Sequence, residues 1–260
     1  MPKFNSNPMG KDTRRAVYRP GETLELLPLA AARPAEALAK ARAVLALHPG
    51  PYDASVAHQA VGIVLRDFGD ARAAIRELRA ALRMATAAGS RDRHADVLAT
   101  LGTALVYAGR TTPGLTALDT AVKEANGTLA GRVLMRRAFA LWRLGRHHEA
   151  LADLRRAVMV LHRSGDTMWE ARALSARAFV HLAVGSAERA DTDLGNAERL
   201  FAATSQELEQ AFATHNRGLV AFRSGDLTLA LSHFDQAARR CQVHGSVSRP
   251  KCPMKIRKRL

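Results

Sequence analysis

Residues that favour strands are scarce: aromatics make up 5% of the 260-residue chain, and β-branched side chains are thinly spread. Sheets are built on such side chains, so an architecture with substantial strand is disfavoured. There are only 2 cysteines, Cys241 and Cys252, and both fall in the last twenty residues. The rest of the chain therefore holds no disulfide framework, which fits a reducing compartment. No apolar run approaches the ~20 residues needed to span a bilayer. The opening MPKFNSNPMGKDTRRAVYRPG is basic without an apolar run behind it and does not read as a signal peptide. A cytoplasmic protein without a membrane partner is expected.

Helix-forming residues fill the gap. Hydrophobic residues make up 47% of the chain, and many of them are alanine, the strongest helix former and small enough to let helix axes approach. The formal charge of +15 is unevenly placed. Residues 1–20 carry +4 and residues 239–260 carry +8, leaving +3 between them. Most of the excess belongs to the ends, so net charge alone does not make the central part a nucleic-acid binder.

Five segments share one pattern: VGIVLRDFGDARAAIRELRAA (61–81), LGTALVYAGRTTPGLTALDTA (101–121), RAFALWRLGRHHEALADLRRA (137–157), RAFVHLAVGSAERADTDLGNA (177–197) and RGLVAFRSGDLTLALSHFDQA (217–237). Each begins with a small residue in second place (Gly62, Gly102, Ala138, Ala178, Gly218) and has a glycine 7 residues later (Gly69, Gly109, Gly145, Gly185, Gly225). A large residue follows (Leu78, Leu118, Leu154, Leu194, Phe234), then an alanine (Ala81, Ala121, Ala157, Ala197, Ala237). The register is 40, 36, 40 and 40 residues. The small residue lets a second helix pack close to the first. The glycine supplies the left-handed conformation that ends a helix. Asp70, Ser186 and Asp226 follow that glycine directly and are placed to cap the next helix. The large residue and the alanine three places on share one helix face. The unit is helix–turn–helix, and it buries its apolar face only by stacking on neighbours.

Twelve helices are expected: 22–32, 35–47, 52–67, 70–88, 91–108, 112–125, 128–144, 147–164, 167–184, 187–203, 206–223 and 226–242. Gly89, Asn126–Gly127 and Gly165 stop the chain between repeats.

This pattern resembles the tetratricopeptide repeat (TPR) over roughly residues 22–240, with a half repeat, EALAKARAVLALHPG (36–50), ahead of the five full ones. The resemblance implies an all-α, right-handed superhelical solenoid of about five helix–turn–helix repeats plus a half repeat. Three domains are expected: a disordered basic segment (1–21), the repeat domain (22–242) and a disordered basic tail (243–260). The sequence departs from the family in places. His58, Leu98, Leu134, Leu174 and Thr214 stand where a large aromatic is usual, Arg137, Arg177 and Arg217 replace a leucine, and Gly114 replaces an alanine. The period also exceeds the ~34 residues of the family, so the helices should be longer. A narrower resemblance links LAAARPAEALAKARAVLA (29–46) and THNRGLVAFRSGDLTLALSHFDQA (214–237) to the N-terminal repeat regions of actinobacterial CHAT-domain proteins. There a caspase-like protease domain follows the repeats, and no catalytic residue of it can be carried onto this chain.

The family resemblance also implies that the first helix of each repeat lines a concave groove. Gln59, Ile63 and Arg66, then Asp96, Thr103 and Tyr107, fall on that face in the early repeats. The later repeats place Arg132, Phe139, Trp142 and Arg143 there, followed by Arg172 and Phe179, and then Phe212, His215, Phe222 and Arg223. Aromatics and arginine are the residue types enriched at interface hot spots. These ten residues of the last three repeats are the candidate protein-binding groove, for an apolar segment carrying acidic residues. The expected function is a non-catalytic scaffold for another polypeptide. Alternatives are the partner-binding part of a CHAT-type protease, whose occupant is a missing C-terminal domain of the parent, and, more weakly, a nucleic-acid binder acting through the basic ends without sequence specificity.

Catalytic and metal readings find little support. His147 and His148 are neighbours that do not face each other on a helix, and no HExxH pattern is present. Cys241, His244 and Cys252 offer three zinc ligands without a fourth. No Walker loop, GxGxxG, GxSxG or kinase signature occurs. No enzyme activity, cofactor or metal is expected. The final QVHGSVSRPKCPMKIRKRL loses the repeat pattern and has 5 basic residues in its last ten. It reads as a truncated or frame-shifted end, against the competing reading of a tail that meets nucleic acid or acidic membrane.

Overall fold

The computed structural model describes residues 22–68 and 70–245. Segment 1–21, Gly69 and most of the basic tail lie outside the described residues, as does Cys252 of the three-ligand cluster. After a single 3-10 turn at Glu22–Glu25 come twelve α-helices. These are α1 (Leu26–Ala32), α2 (Pro34–Ala46), α3 (Pro51–Asp67), α4 (Ala71–Ala87), α5 (Arg91–Tyr107) and α6 (Thr111–Glu124), followed by α7 (Gly127–Arg143), α8 (His147–Arg163), α9 (Thr167–Ala183), α10 (Ala187–Ala203), α11 (Glu207–Arg223) and α12 (Leu227–Gly245). Every boundary lies within one residue of expectation except the first start and the last end. α12 runs on to Gly245, beyond the expected 242. Strands are absent among the described residues, and no described helix is long and apolar enough to cross a membrane.

Each helix packs mainly on the next in sequence, and first helices also touch first helices, α3 on α5 and α5 on α7. The fold is the right-handed solenoid of TPR-like repeats. Its interior is a row of small apolar clusters shared between neighbouring helices rather than a single core.

The small-to-large pairing is the contact that sets each helix pair. A methyl group on Gly62 would lie 2.6 Å from Leu78 Cγ, and one on Gly218 would lie 2.6 Å from a ring carbon of Phe234. At Gly102 it would meet the Gly114 carbonyl oxygen at 2.8 Å. Gly114 is therefore where two backbones nearly touch, which accounts for its standing in an alanine position. Asp70 and Asp226 cap their helices through the amides of Ala73 and Leu229 at 2.9 Å. Ser186 makes no side-chain cap bond, contrary to expectation, whereas Ser90 and Asp166 do. At the stop between the fourth and fifth repeats Ser205 adopts a left-handed φ of 54°, where Gly165 has 70° one repeat earlier.

The three arginines at leucine positions have partners on the second helix. Arg137 forms a two-pronged pair with Asp153 at 2.6 and 2.7 Å, and Arg177 does the same with Asp193 at 2.6 and 2.8 Å. Both carboxylates are buried. In the fifth repeat His233 stands where the aspartate would be, and Arg217 turns back to Asp191 of α10 at 2.8 and 3.0 Å.

Candidate functional site

The inner curve changes character along the chain. In the first repeats the seam between α3, α5 and α7 is closed by a polar network. Arg93 donates to Gln59 Oε1 at 2.6 Å, to Ser55 at 3.1 Å and to Asp96 at 3.1 Å. Gln59 donates in turn to Thr100 at 2.8 Å, and Arg136 reaches Asp96 at 2.5 Å. Burial alone would raise the Asp96 carboxyl. The guanidinium groups of Arg136 and Arg93 outweigh it and hold the group well below the usual carboxylate range. Gln59 and Asp96, expected on the groove wall, are thus buried and bonded to neighbouring helices. Thr103, expected there too, is also buried and donates to the Ala99 carbonyl of its own helix.

Further on the helices part. α7 still meets α9, but α9 and α11 do not form a comparable contact. The gap is a cavity of about 420 Å³ open on the inner curve. Phe139 and Trp142 of α7, Phe179 of α9 and Phe212 of α11 wall it, over a floor that includes Ala138, Ala176 and Val180. Its polar rim is the Arg172–Glu209 ion pair at 2.9 Å together with Ser175 and Asn216. Phe139 and Phe179 are exposed at 40% and 46%, high for phenylalanine on a helix with a buried face. Phe139 also continues onto Tyr107, with ring centroids 6.0 Å apart, and lies 5.5 Å from Trp142. The result is an aromatic ledge leading from α5 into the cavity.

The structure brings together five of the ten candidate residues: Phe139, Trp142, Arg172, Phe179 and Phe212 line the cavity. The other five do not line it. The Arg132 guanidinium lies 4.5 Å from the centre of the Trp169 ring, which Arg172 also approaches at 4.8 Å. Arg132 Nε is buried without a hydrogen bond, and burial, with Arg136 nearby, holds the guanidinium below its ordinary pKa. Arg143 stands over the Tyr107 ring at 4.6 Å. His215 packs on Phe234 at 5.1 Å, on the side towards α12. Phe222 and Arg223 are exposed at the far end of α11. Trp169 and Glu209, which hold Arg132 and Arg172 in place, were not among the expected residues. Their signal was the position both occupy, third in their helices, one turn before Arg172 and Phe212.

No group of three histidine, cysteine, aspartate or glutamate residues suits a metal ion among the described residues. His147 starts α8 with its Nδ1 buried and unbonded, and His148 beside it is exposed.

Helix pairs and inner curve together define a TPR-like helical-repeat fold. Three solved structures illustrate the likeness. BtubC (BKLC) from P. vanneervenii matches with a TM-score of 0.64 and 18% identity, over 87% of this chain and 94% of that one. A Rap protein complexed with Competence and Sporulation Factor matches with a TM-score of 0.67 and 13% identity, over 85% of this chain and 63% of the Rap chain. A putative kinesin light chain of P. anserina with nearly identical TPR-like repeats gives 0.60 and 13%, over 73% and 95%. At such identities the likeness is one of fold. No family model and no curated relative matches the sequence.

Proposed function

We propose that the chain is a scaffold that holds another polypeptide in the concave opening between α7, α9 and α11. The observation that carries this is the cavity of about 420 Å³ walled by four aromatic side chains. A soluble helical array gains nothing from leaving Phe139 and Phe179 in water, and large apolar side chains gathered in a concave site mark a place for a ligand. Among the described residues Arg143 has no carboxylate within ion-pair reach. With Arg172 at the rim it favours an apolar segment with an acidic residue beside it. The Rap protein complexed with its factor supports a polypeptide occupant, as does the fold. In the alternative reading the occupant is a C-terminal domain of a longer CHAT-type parent, which would use the same opening.

Panning the full chain against a random dodecamer phage library, followed by fluorescence anisotropy with a recovered peptide, tests the reading. Recovered peptides should share a large apolar residue next to an acidic one. Trp142→Ala and Phe179→Ala should each weaken binding by about 2 kcal/mol, the scale of an interface hot spot, which is roughly thirtyfold. Unfolding should change by less than the ~3–5 kcal/mol that a core aromatic costs. Arg143→Glu should slow association, and the loss should shrink in high salt. Binding unchanged in Trp142→Ala and Phe179→Ala, or arrays that simply unfold, would make these residues seam packing.

A further inference from the structure

The outer surface carries a feature that the net charge hides. Arg72, Arg76, Arg79 and Arg83 of α4 recur at intervals of 4, 3 and 4 residues, so all four lie on one helix face, and all four are exposed. Arg110, in the turn between α5 and α6, closes the side of a shallow hollow of about 320 Å³, which Arg72, Arg76 and Arg79 line over a floor of Ala71, Ile75 and Ala108. None of these five arginines is joined to a carboxylate among the described residues. The nearby acids are engaged elsewhere: Asp67 with Arg66, Asp70 in capping α4, and Glu77 with His58. Like charges three and four residues apart destabilise a helix, so the isolated protein gains nothing from the arrangement. A polyanion would.

We propose that this arginine stripe is a docking surface for the phosphate backbone of duplex nucleic acid, bound without regard to sequence. The rise of a helix puts Arg72 and Arg83 about 16 Å apart, a length that faces about five phosphates of one DNA strand at ~3.4 Å per phosphate. Arginine holds phosphate by paired hydrogen bonds. A protein partner would need a sizeable apolar centre in the contact, and between the arginines the hollow offers only Ala71, Ile75 and Ala108. A membrane would need apolar side chains to bury beside the charges. Only Phe68, 72% exposed at the head of the stripe, could serve. The stripe belongs to a second helix and does not touch the cavity, so the two sites stand or fall separately.

The test uses the full chain and a fluorescein-labelled 20-base-pair duplex of random sequence, with affinity measured between 50 and 200 mM KCl. The variant changes Arg72, Arg76, Arg79 and Arg83 to Gln. A control of equal charge changes Arg155, Arg156, Arg163 and Arg189, exposed on α8 and α10, to Gln. Each phosphate contact adds about 0.9 to the slope of log K against log salt. The stripe variant should therefore lose about 3–4 units of slope, so that its affinity varies on the order of 10²-fold less across this range. The control should keep the wild-type slope. Equal losses in both variants would reduce the effect to net charge, and no loss in either would assign binding to the basic ends. Absence of duplex binding by the wild type overturns the proposal outright. Loss of binding only to phosphatidylserine vesicles or polyglutamate, with the duplex unaffected, would overturn it in favour of a lipid or a protein.

Discussion

Replacing the buried Arg177–Asp193 pair with the apolar pair that the chain already uses elsewhere tests the logic of the repeat. Asp193 is 4% exposed and receives both prongs of Arg177. The bond to Asp193 raises the arginine's pKa against the opposing effect of its own burial. Asp193→Ala leaves a guanidinium facing an apolar seam, and breaking a buried pair by removing one partner costs ~3–5 kcal/mol. The Arg177 side chain is 20% exposed, so water recovers part of that, and a loss of about 2–3 kcal/mol is expected. At ~2–4 °C per kcal/mol for a chain of this size, Tm should fall by about 5–10 °C. The double variant Arg177→Leu/Asp193→Ala recreates the second repeat, where Leu101 and Ala117 hold the equivalent positions. It should lie within about 1 kcal/mol of the parent, because well-packed apolar replacements of buried pairs are near neutral or stabilising. The assay is urea unfolding followed by circular dichroism at 222 nm, with amide exchange in α9 and α10 to localise the effect, since repeat arrays can depart from two-state behaviour. A double variant as unstable as Asp193→Ala would refute the interchangeability of the two pairs. A silent Asp193→Ala would refute the pair's contribution altogether.

Two further expectations come from packing and protonation. Gly102→Ala should destabilise by about 1–3 kcal/mol in the same assay, because its methyl would meet backbone 2.8 Å away. Gly195→Ala, whose nearest neighbour would be 3.8 Å away, should stabilise by about 0.5–1 kcal/mol. The reverse order would mean the close approach is not the constraint. His181, His215 and His233 are all held below the ordinary histidine pKa, first by burial, so they stay neutral in the fold while the unfolded chain protonates near pH 6.5. Their neutral-state stability is present above that pH and lost as pH falls through it. Tm measured from pH 8 to pH 5 should decline, with a shallower slope in His181→Leu. A rise towards pH 5 would contradict the burial of these rings.

The repeat was legible because its signals are local. A glycine or alanine facing a leucine sixteen residues on, and a glycine at each stop, can be read without knowing the neighbours. The polar residues of the inner face could not be read that way. Gln59 and Asp96 fall on the face expected to line a groove, yet their partners come from helices about 40 residues away, and nothing in their own segments separates a wall from a filled seam. The arginines at 137 and 177 looked anomalous for the opposite reason: a partner on the second helix was present in the sequence but unpaired until the geometry joined them. Phe222 holds the register position of Trp142, yet it stands exposed at the far end of α11 and away from the cavity. Net charge concealed the stripe on α4, because a near-zero sum over the repeats says nothing about how charges are grouped.

The parting of α9 from α11 has a mechanical consequence. The last two repeats stay joined through α10, which packs on both α9 and α11, while their inner edges stand apart. An occupant of the proposed groove would meet Phe179 on one side of the opening and Phe212 on the other, and so would act as a spacer on the inner edge alone. In an array where each repeat touches only its neighbours, a change of spacing at one inner edge alters the local curvature, with the α10 packing as its pivot.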